Sequence, residues 1–402
     1  MQLTSSCHAV RSVGRLAGAV ALALAAAACG GYGGGASMNL YNVPGSAMGG
    51  AYGGAAPMPM PMPVPNGSSY AMSELTSNGA LAAGSTDTHL VNPWGIVFAT
   101  GAPVWVANNA TQTSTLYDGS GHPVQPVVSI PAGLNGPADP TGIVANPTGD
   151  FMVTHGMASA PSQFIFDGEG GTLTAWSSQL DMQNAFIVYD DGAGGAVYKG
   201  LAIATDASGV TLLYATDFHN GKIDVFDKSF HKVATTGGFA DATLPAGYAP
   251  FGIQALTVQG RTLLYVTYAQ QDAARHGNIN GAGLGLIEVF DTQGTLESHL
   301  VGAGGKLDAP WGIALAPAGF GALSNELLIG NFGDGLINAF DPVTGAFGGT
   351  VSDANGEPIA NPGLWGIAFG NGAFSQPTTT LYIAVGVANG ADGLYARIDL
   401  AP

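Results

Sequence analysis

The sequence predicts an all-β fold, a six-bladed β-propeller, because a short motif repeats along the chain. The motif, one variable residue followed by a glycine and a branched apolar residue, occurs six times, with its glycines 47 to 60 residues apart. Two further short apolar runs follow each copy, and this period and strand number are typical of a propeller blade. A β-sandwich or a β-helix is the alternative architecture. The motif glycines are Gly95, Gly142, Gly200, Gly252, Gly312 and Gly366.

Each motif predicts the innermost strand of a blade, and the apolar runs after it predict the second and third strands. The expected second strands are Val104–Ala107, Phe151–Thr154, Leu212–Thr216, Leu263–Thr267, Leu327–Gly330 and Leu381–Val385. The expected third strands are Thr115–Asp118, Thr172–Trp176, Lys222–Asp227, Leu286–Asp291, Leu336–Asp341 and Leu394–Asp399. Tyr70–Leu75, before the first unit, alternates like a strand, whereas the sixth unit lacks an outer strand. We therefore expect Tyr70–Leu75 to complete blade six and close the ring.

Residues 1–29 have the features of an export signal. Arg11 and Arg15 precede the Ala/Leu-rich run Leu16–Ala28, which is shorter than the roughly 20 residues needed to span a bilayer. The segment Ala26-Ala27-Ala28-Cys29 resembles a bacterial lipobox, with Ala26 where Leu is commonest. These features predict lipidation of Cys29 and an outer-membrane or cell-surface lipoprotein. Cleavage at an Ala-x-Ala site, which would give a periplasmic or secreted protein, is the alternative.

Residues 30–69 are expected to form a flexible tether in front of the propeller, residues 70–402. The tether is rich in Gly, Pro and Met, and its Met-Pro alternation at Met58, Met60 and Met62 favours an extended chain. Thioethers are soft ligands for Cu(I), so copper binding by the tether is an alternative to a simple spacer.

The composition excludes some classes of partner. The formal net charge is −17 with only 10 Lys and Arg residues, so no basic surface is available to follow a phosphate backbone. We therefore expect no nucleic-acid partner, contact with a membrane only through the lipid anchor, and a monomeric domain. Both cysteines, Cys7 and Cys29, precede the propeller, which therefore contains no disulfide.

The loops that lead into the inner strands should meet around one mouth of the propeller. The repeat places Trp94, Phe251, Trp311 and Trp365 at equivalent positions there, together with one cation, Lys199. An aromatic ring with a cation could bind a small molecule or a peptide. The alternative is structural, because aromatic side chains beside such glycines also fill the space between blades.

The loops between the second and third strands open on the same face and carry amide, carboxylate and imidazole groups. The candidate metal ligands are Asn108, His155, Asp217 and Asn331. Oxygen ligands alone would favour Ca²⁺, whereas a histidine ligand would favour Zn²⁺. Turn formation is the alternative role, because Asn and Asp also suit tight turns.

Several longer motifs together resemble a known family. These motifs are Asn92-Pro93-Trp94-Gly95-Ile96, Tyr198-Lys199-Gly200-Leu201-Ala202, Leu244-Pro245-Ala246-Gly247-Tyr248 and Gly330-Asn331-Phe332-Gly333-Asp334-Gly335. They resemble an uncharacterised family of exported bacterial proteins with six NHL-like propeller blades, and the resemblance covers about residues 70–400. A more distant similarity, in fold alone, is to gluconolactonase-like propellers. The family resemblance implies export and a propeller fold but no particular activity.

The leading functional hypothesis is a binding or scaffold module for a small molecule or a protein, because no familiar catalytic motif is present. The alternative is a metal-dependent hydrolase or lyase, similar to lactonases, with its site in the propeller channel. This alternative requires the four candidate metal ligands to converge on one point near the axis.

Overall fold

The computed structural model describes residues 68–401, which form a six-bladed β-propeller of antiparallel sheets. The predicted signal, lipidation site and Met-rich tether therefore lie outside the described residues, apart from Ser68 and Ser69. Among residues 68–401, no helix is long and apolar enough to cross a membrane. The helical elements are short: the 3₁₀ turns Gly192–Gly194 and Gly321–Leu323 and the α-helical turn Val387–Gly390.

Within each blade the first three strands run in chain order from the axis outward, and the outer strand follows them in every blade except the sixth. The inner strands are Pro93–Phe98, Pro140–Ala145, Tyr198–Thr205, Tyr248–Val258, Pro310–Leu315 and Leu364–Phe369. The second strands are Val104–Asn108, Phe164–Gly168, Thr211–Asp217, Arg261–Gln271, Leu327–Asn331 and Leu381–Val385. The third strands are Thr113–Tyr117, Thr172–Trp176, Lys222–Phe226, Gly285–Phe290, Ile337–Phe340 and Leu394–Leu400.

The outer strands complete the blades. They are Pro123–Ser129, Phe186–Asp190, Lys232–Val233, Leu296–Val301, Phe347–Thr350 and, in blade six, Tyr70–Ser77. Two short strands extend existing sheets: Asn278–Ile279 pairs with the second strand of blade four, and Ser85–Thr86 runs parallel to Tyr70–Ser77.

The N-terminal strand closes the ring, as the sequence predicts. Tyr70–Ser77 pairs antiparallel with Leu394–Leu400, in a register that sets Tyr70 opposite Leu400. The Tyr70 ring packs 4.8 Å from that of Phe320 in blade five, and its hydroxyl donates a 2.9 Å hydrogen bond to the Phe320 carbonyl. The closing strand is therefore joined to two blades, so the third strand of blade six is not left as an open edge.

The repeated glycines allow the inner strands to approach one another closely. A Cβ atom on Gly95, Gly200, Gly252, Gly312 or Gly366 would lie only 2.1 to 2.8 Å from the carbonyl oxygen that precedes the motif glycine of the next blade. A Cβ on Gly142 would meet the Leu201 nitrogen at 2.5 Å. Because no side chain fits there, the glycine of the motif is a packing requirement of the central ring.

The hydrophobic core is divided among the blade interfaces. Six clusters of buried apolar residues each lie between two successive blades, including the pair formed by blades six and one. A seventh cluster, made mostly of aromatic residues, lies on the axis. Each blade therefore buries both faces of its sheet only when its two neighbours are present.

One predicted strand is wrong. The second strand of blade two is Phe164–Gly168, whereas Met152–His155 pairs with Ala158–Pro161 in a separate hairpin. The connection explains the difference, because a three-residue turn after Gly168 leads directly into Thr172–Trp176. Thr154 is separated from that third strand by two further strands, so it cannot form a tight hairpin with it.

Candidate functional site

The aromatic residues of the repeat converge at one end of the axis. The rings of Trp94 and Trp365 stack with centroids 3.3 Å apart, and Trp311 meets both edge-on at 5.8 and 5.9 Å. Phe251 lies 5.9 Å from Trp365 and 5.2 Å from Phe218. These five residues, together with Phe332, are called the aromatic plug below. Its convergence follows the repeat symmetry seen in the sequence.

The plug is closed rather than open. The exposed fractions of Trp94, Phe251, Trp311 and Trp365 are 3, 0, 9 and 3%. The Trp311 indole donates a 2.8 Å hydrogen bond to the Lys199 carbonyl, and the Trp365 indole donates a 3.2 Å bond to Asn92 Oδ1. The Trp94 indole N–H has no acceptor among the described residues. The rings are therefore mainly partners for each other, which favours the structural role.

Lys199 lies within the plug, where the carboxylate of Glu169 balances its positive charge. Its side chain is buried, its ammonium pairs with the Glu169 carboxylate, and its Nζ lies 5.2 Å from the Trp94 ring centroid and 5.8 Å from that of Phe218. Burial alone would raise the pKa of Glu169, but the charge and hydrogen bond of Lys199 hold it below its usual value. The ion pair is therefore stable as a charged pair at neutral pH.

Hydrogen bonds extend this ion pair across several blades. Asn92 donates a 3.0 Å bond to Asn109, and Asn109 in turn donates a 3.0 Å bond to Glu169. Because Trp365 donates to Asn92 and Trp311 to Lys199, one network joins blades six, one, two, three and five. The network fixes the loops around the plug, since breaking one link would leave a buried polar group without a partner.

Glu169 is a residue that the sequence prediction missed. It lies in the turn between the second and third strands of blade two, which the wrong strand assignment gave to His155. The Asp- and Gly-rich stretch Asp167-Gly168-Glu169-Gly170-Gly171, between the apolar run Phe164–Phe166 and the strand Thr172–Trp176, is the sequence signal that marks this loop.

Asp167, in the second strand of blade two, holds the motif glycine Gly142 and its neighbour Thr141 by hydrogen bonds. Its carboxylate accepts hydrogen bonds from Thr141 Oγ1 at 2.9 Å and from the Gly142 amide at 2.6 Å. Its second oxygen has no partner among the described residues, and burial raises the pKa of Asp167 to about 7. Burial therefore disfavours the charged form of Asp167, whereas the ion pair with Lys199 favours the charged form of Glu169.

The structure does not bring the four predicted metal ligands together. Asn108 donates to Thr113 and Thr115, and Asn331 donates to the Lys306 carbonyl. Asp217 accepts from the Val197 amide and from Asn220. His155, in the extra hairpin, packs against Phe186 of the outer strand, with ring centroids 4.5 Å apart. The Oδ1 atoms of Asn108 and Asn331 are buried without a hydrogen-bond partner among the described residues. His155, however, lies against the outer strand of blade two, so a single axial ion bound by all four is not supported.

A channel runs along the axis on the far side of the six motif glycines from the aromatic plug. It has a volume of about 400 Å³, is open to solvent, and is lined by the C-terminal halves of the six inner strands. A narrow space of about 40 Å³ between the motif glycines separates it from the plug. The lining segments are Ile96–Phe98, Ile143–Ala145, Ala202–Ile203, Gln254–Leu256, Ile313–Leu315 and Ile367–Phe369. Gln254 is the one polar side chain among these described lining residues.

Comparison with solved structures agrees with the fold. A structural genomics protein of unknown function from Bacteroides thetaiotaomicron aligns over 82% of this chain and 76% of its own, with a TM-score of 0.50 and 12% identity. A gluconolactonase from Xanthomonas campestris aligns over 59% of this chain and 82% of its own, with a TM-score of 0.36 and 15% identity. At such low identity these alignments concern the fold alone, and the second TM-score is too low to support an argument.

Sequence relatives define the family. No protein-family model matches the chain. "Uncharacterized protein R648" of Acanthamoeba polyphaga mimivirus is 33% identical over 330 residues, which are 81% of this chain and 78% of that protein. "Uncharacterized protein L690" of the same virus is 32% identical over 330 residues, 81% of this chain and 84% of that protein. These relatives are viral, not bacterial, which corrects that part of the family resemblance. The chain belongs to the same protein family as these two mimivirus proteins.

Proposed function

We propose that this propeller is a binding module that takes a small, uncharged molecule with both apolar and polar groups into its central channel. The observation that carries the proposal is the channel itself, which has a volume of about 400 Å³, is open to solvent, and is lined by apolar side chains and by nearly as much polar surface of the six inner strands. Concave spaces of this size that combine apolar surface with polar groups are characteristic of small-ligand sites in proteins.

The packing at the two ends of the axis favours the channel, rather than the aromatic plug, as the ligand site. A ligand at the plug would have to separate rings that already contact each other. In the channel, by contrast, the side chains of Val97, Ile203, Leu256, Leu315 and Phe369 are only partly buried. Covering such apolar surfaces releases water from them, which favours binding.

The lining indicates the chemistry of the ligand. The exposed Gln254 amide offers one donor and one acceptor group, so a carbonyl or hydroxyl on the ligand would find a partner. No charged side chain belongs to the described lining, and a charged ligand would lose its hydration without compensation. At about 0.3 kcal/mol per non-hydrogen atom, a ligand of roughly 20 such atoms would bind with a dissociation constant of tens of micromolar.

A fluorescent probe tests this proposal. The full chain is titrated with phenylnaphthylamine, a neutral apolar fluorophore, beside the variant Ala255→Phe/Ala368→Phe, which adds two rings to the channel wall. We expect saturable binding to the native protein and at least a tenfold weaker affinity in the variant. Met157→Phe, at a fully exposed position, is the matched control and should bind like the native protein.

Two results would contradict the channel as the site. One is undiminished probe binding in the filled variant when its melting temperature shows that it is folded. The other is the absence of binding by the native protein to phenylnaphthylamine and to a series of neutral apolar alcohols and ketones of similar size.

We also infer that the chain is exported and held at a membrane surface through a lipid on Cys29. The basic residues Arg11 and Arg15, the apolar run after them and the Ala-Ala-Ala-Cys sequence support this inference. Expression in a bacterial host with labelled palmitate should label the native chain but not Cys29→Ser. Equal labelling of both chains, or no label on the native chain, would contradict the lipid anchor.

A further inference from the structure

We propose that blade four carries a binding site for one divalent transition-metal ion, Zn²⁺ in preference, formed by Asp241, Glu288 and His299. The site is remote from the channel and does not depend on the function proposed for it. Each of the three side chains offers one ligand atom, and these atoms all lie within 4.8 Å of one another.

The site is assembled from three separate parts of the chain. Asp241 belongs to the connection between the outer strand of blade three and the inner strand of blade four. Glu288 lies in the third strand of blade four, and His299 faces it as its antiparallel partner in the outer strand. The strand register therefore fixes two ligands, while the connection brings in the third.

The two carboxylates are buried without enough partners. The side chains of Glu288 and Asp241 are 2% and 6% exposed. Oε2 of Glu288 and Oδ2 of Asp241 have no hydrogen-bond donor among the described residues. Two neighbouring buried carboxylates with unpartnered oxygens are unfavourable unless a proton or a cation lies between them. A ligand atom of His299 lies close to those of both carboxylates, so a cation can take the place of a shared proton.

The surrounding contacts orient each ligand toward the same point. Oδ1 of Asp241 accepts hydrogen bonds of 2.8 Å from the Thr243 amide and from the Thr243 hydroxyl, which leaves Oδ2 free. His299 Nδ1 lies 3.3 Å from Glu288 Oε1 and 3.9 Å from Asp241 Oδ2. Its Nε2 lies 3.4 Å from the Thr243 hydroxyl, which can accept the ring proton and so leave Nδ1 free to bind metal.

The ligand set indicates the kind of ion. Two carboxylate oxygens and one imidazole nitrogen suit Zn²⁺, which commonly takes three protein ligands and keeps a fourth position open. Ca²⁺ would require six or more oxygen ligands and makes no use of imidazole. Access is available, because His299 is half exposed and Asp241 lines a cavity of about 350 Å³ together with Tyr268, Phe239 and Leu244.

Metal binding to the full, tag-free chain tests the proposal. After treatment with a chelator and dialysis, the protein is titrated with Zn²⁺ by calorimetry, and the metal content is measured after gel filtration. We expect one equivalent of Zn²⁺ and a higher melting temperature with the metal. Glu288→Gln should lose binding at least a hundredfold, and His299→Ala at least tenfold.

Two further variants make the result specific. His231→Ala is the matched control, because His231 is an exposed histidine 3.6 Å from the carboxylate of Asp227, and it should leave Zn²⁺ binding unchanged. His299 is itself half exposed, so His299→Ala should fold even if Glu288→Gln does not. The absence of Zn²⁺ binding, a preference for Ca²⁺, or undiminished Zn²⁺ binding in His299→Ala would overturn the proposal.

Discussion

The indole of Trp311 donates its hydrogen to the carbonyl oxygen of Lys199 across the axis, at a distance of 2.8 Å. The two residues belong to blades five and three, which are not neighbours in the ring. The aromatic plug therefore ties together blades that share no sheet-to-sheet interface. We therefore expect the plug to hold the inner strands together at this mouth, and denaturation of variants tests this expectation.

Trp311→Phe should lower the free energy of unfolding by about 1–3 kcal/mol, because it leaves a buried carbonyl without its donor. Urea denaturation of the full chain measures the change. Trp176→Phe is the matched control, since the Trp176 indole is also buried but has no hydrogen-bond acceptor among the described residues. An equal loss of stability in the two variants would show that ring area, and not the hydrogen bond, explains the effect.

Glu169→Gln should destabilise the protein by about 3–5 kcal/mol near neutral pH, because Lys199 would remain buried without a counter-charge. The double variant Glu169→Gln/Lys199→Met should recover much of that loss, since it removes both charges. Denaturation midpoints of the single and double variants measure the coupling. Glu297→Gln breaks the exposed pair with Arg261 and serves as the control, with an expected effect of about 0–1 kcal/mol. A Glu169→Gln variant as stable as this control would contradict a buried ion pair.

Asp167 and Glu169 should affect the pH dependence of stability in opposite directions. The folded-state pKa of Asp167 is raised from 3.8 to about 7, so the folded state holds this proton more tightly than the unfolded state does. Its contribution to stability is therefore fully present below about pH 4 and is lost as the pH rises toward 7. Glu169, whose folded-state pKa is lowered, contributes stability above its unfolded pKa near 4.5 and loses it in acid.

Asp167→Asn isolates the first of these effects, because the amide oxygen can still accept from Thr141 and Gly142. The stability of the native protein relative to this variant should fall by up to about 4 kcal/mol between pH 4 and pH 7. Denaturation of both proteins across this pH range measures the difference. A difference that does not change with pH would contradict the raised pKa of Asp167.

Gly252→Ala should destabilise the protein by about 1–3 kcal/mol or more, because its Cβ would lie 2.1 Å from the Trp311 carbonyl oxygen. Thermal melting of the full chain measures the change. Gly149→Ala is the control, since a Cβ at that position has no atom within 4 Å and no unusual backbone angle to adopt. A Gly252→Ala variant with the same melting temperature as this control would show that the inner strands can separate freely.

The sequence was informative wherever the repeat itself determines the structure. The six motif glycines correctly predicted the inner strands, and the alternation of Tyr70–Leu75 correctly predicted the closing strand. The convergence of Trp94, Phe251, Trp311 and Trp365 also follows from the repeat, because equivalent residues of a closed ring must meet at its axis.

Features that depend on departures from the repeat could not be predicted. The extra hairpin Met152–Pro161 displaced the second strand of blade two and so concealed the role of Glu169. Residue type alone also does not show whether neighbouring aromatic rings fill a mouth or leave it open. The cluster of Asp241, Glu288 and His299 depends on strand register and on the path of one connection, neither of which has a local sequence signal.

The most direct test of the central claim is a crystal structure of the full chain grown with phenylnaphthylamine or with the tightest-binding neutral alcohol or ketone. We predict density for the molecule in the axial channel, in contact with Val97 and Phe369, and a polar atom of the ligand within hydrogen-bonding distance of the Gln254 amide. An empty channel with the molecule bound at the aromatic plug or on an outer blade surface would contradict the account.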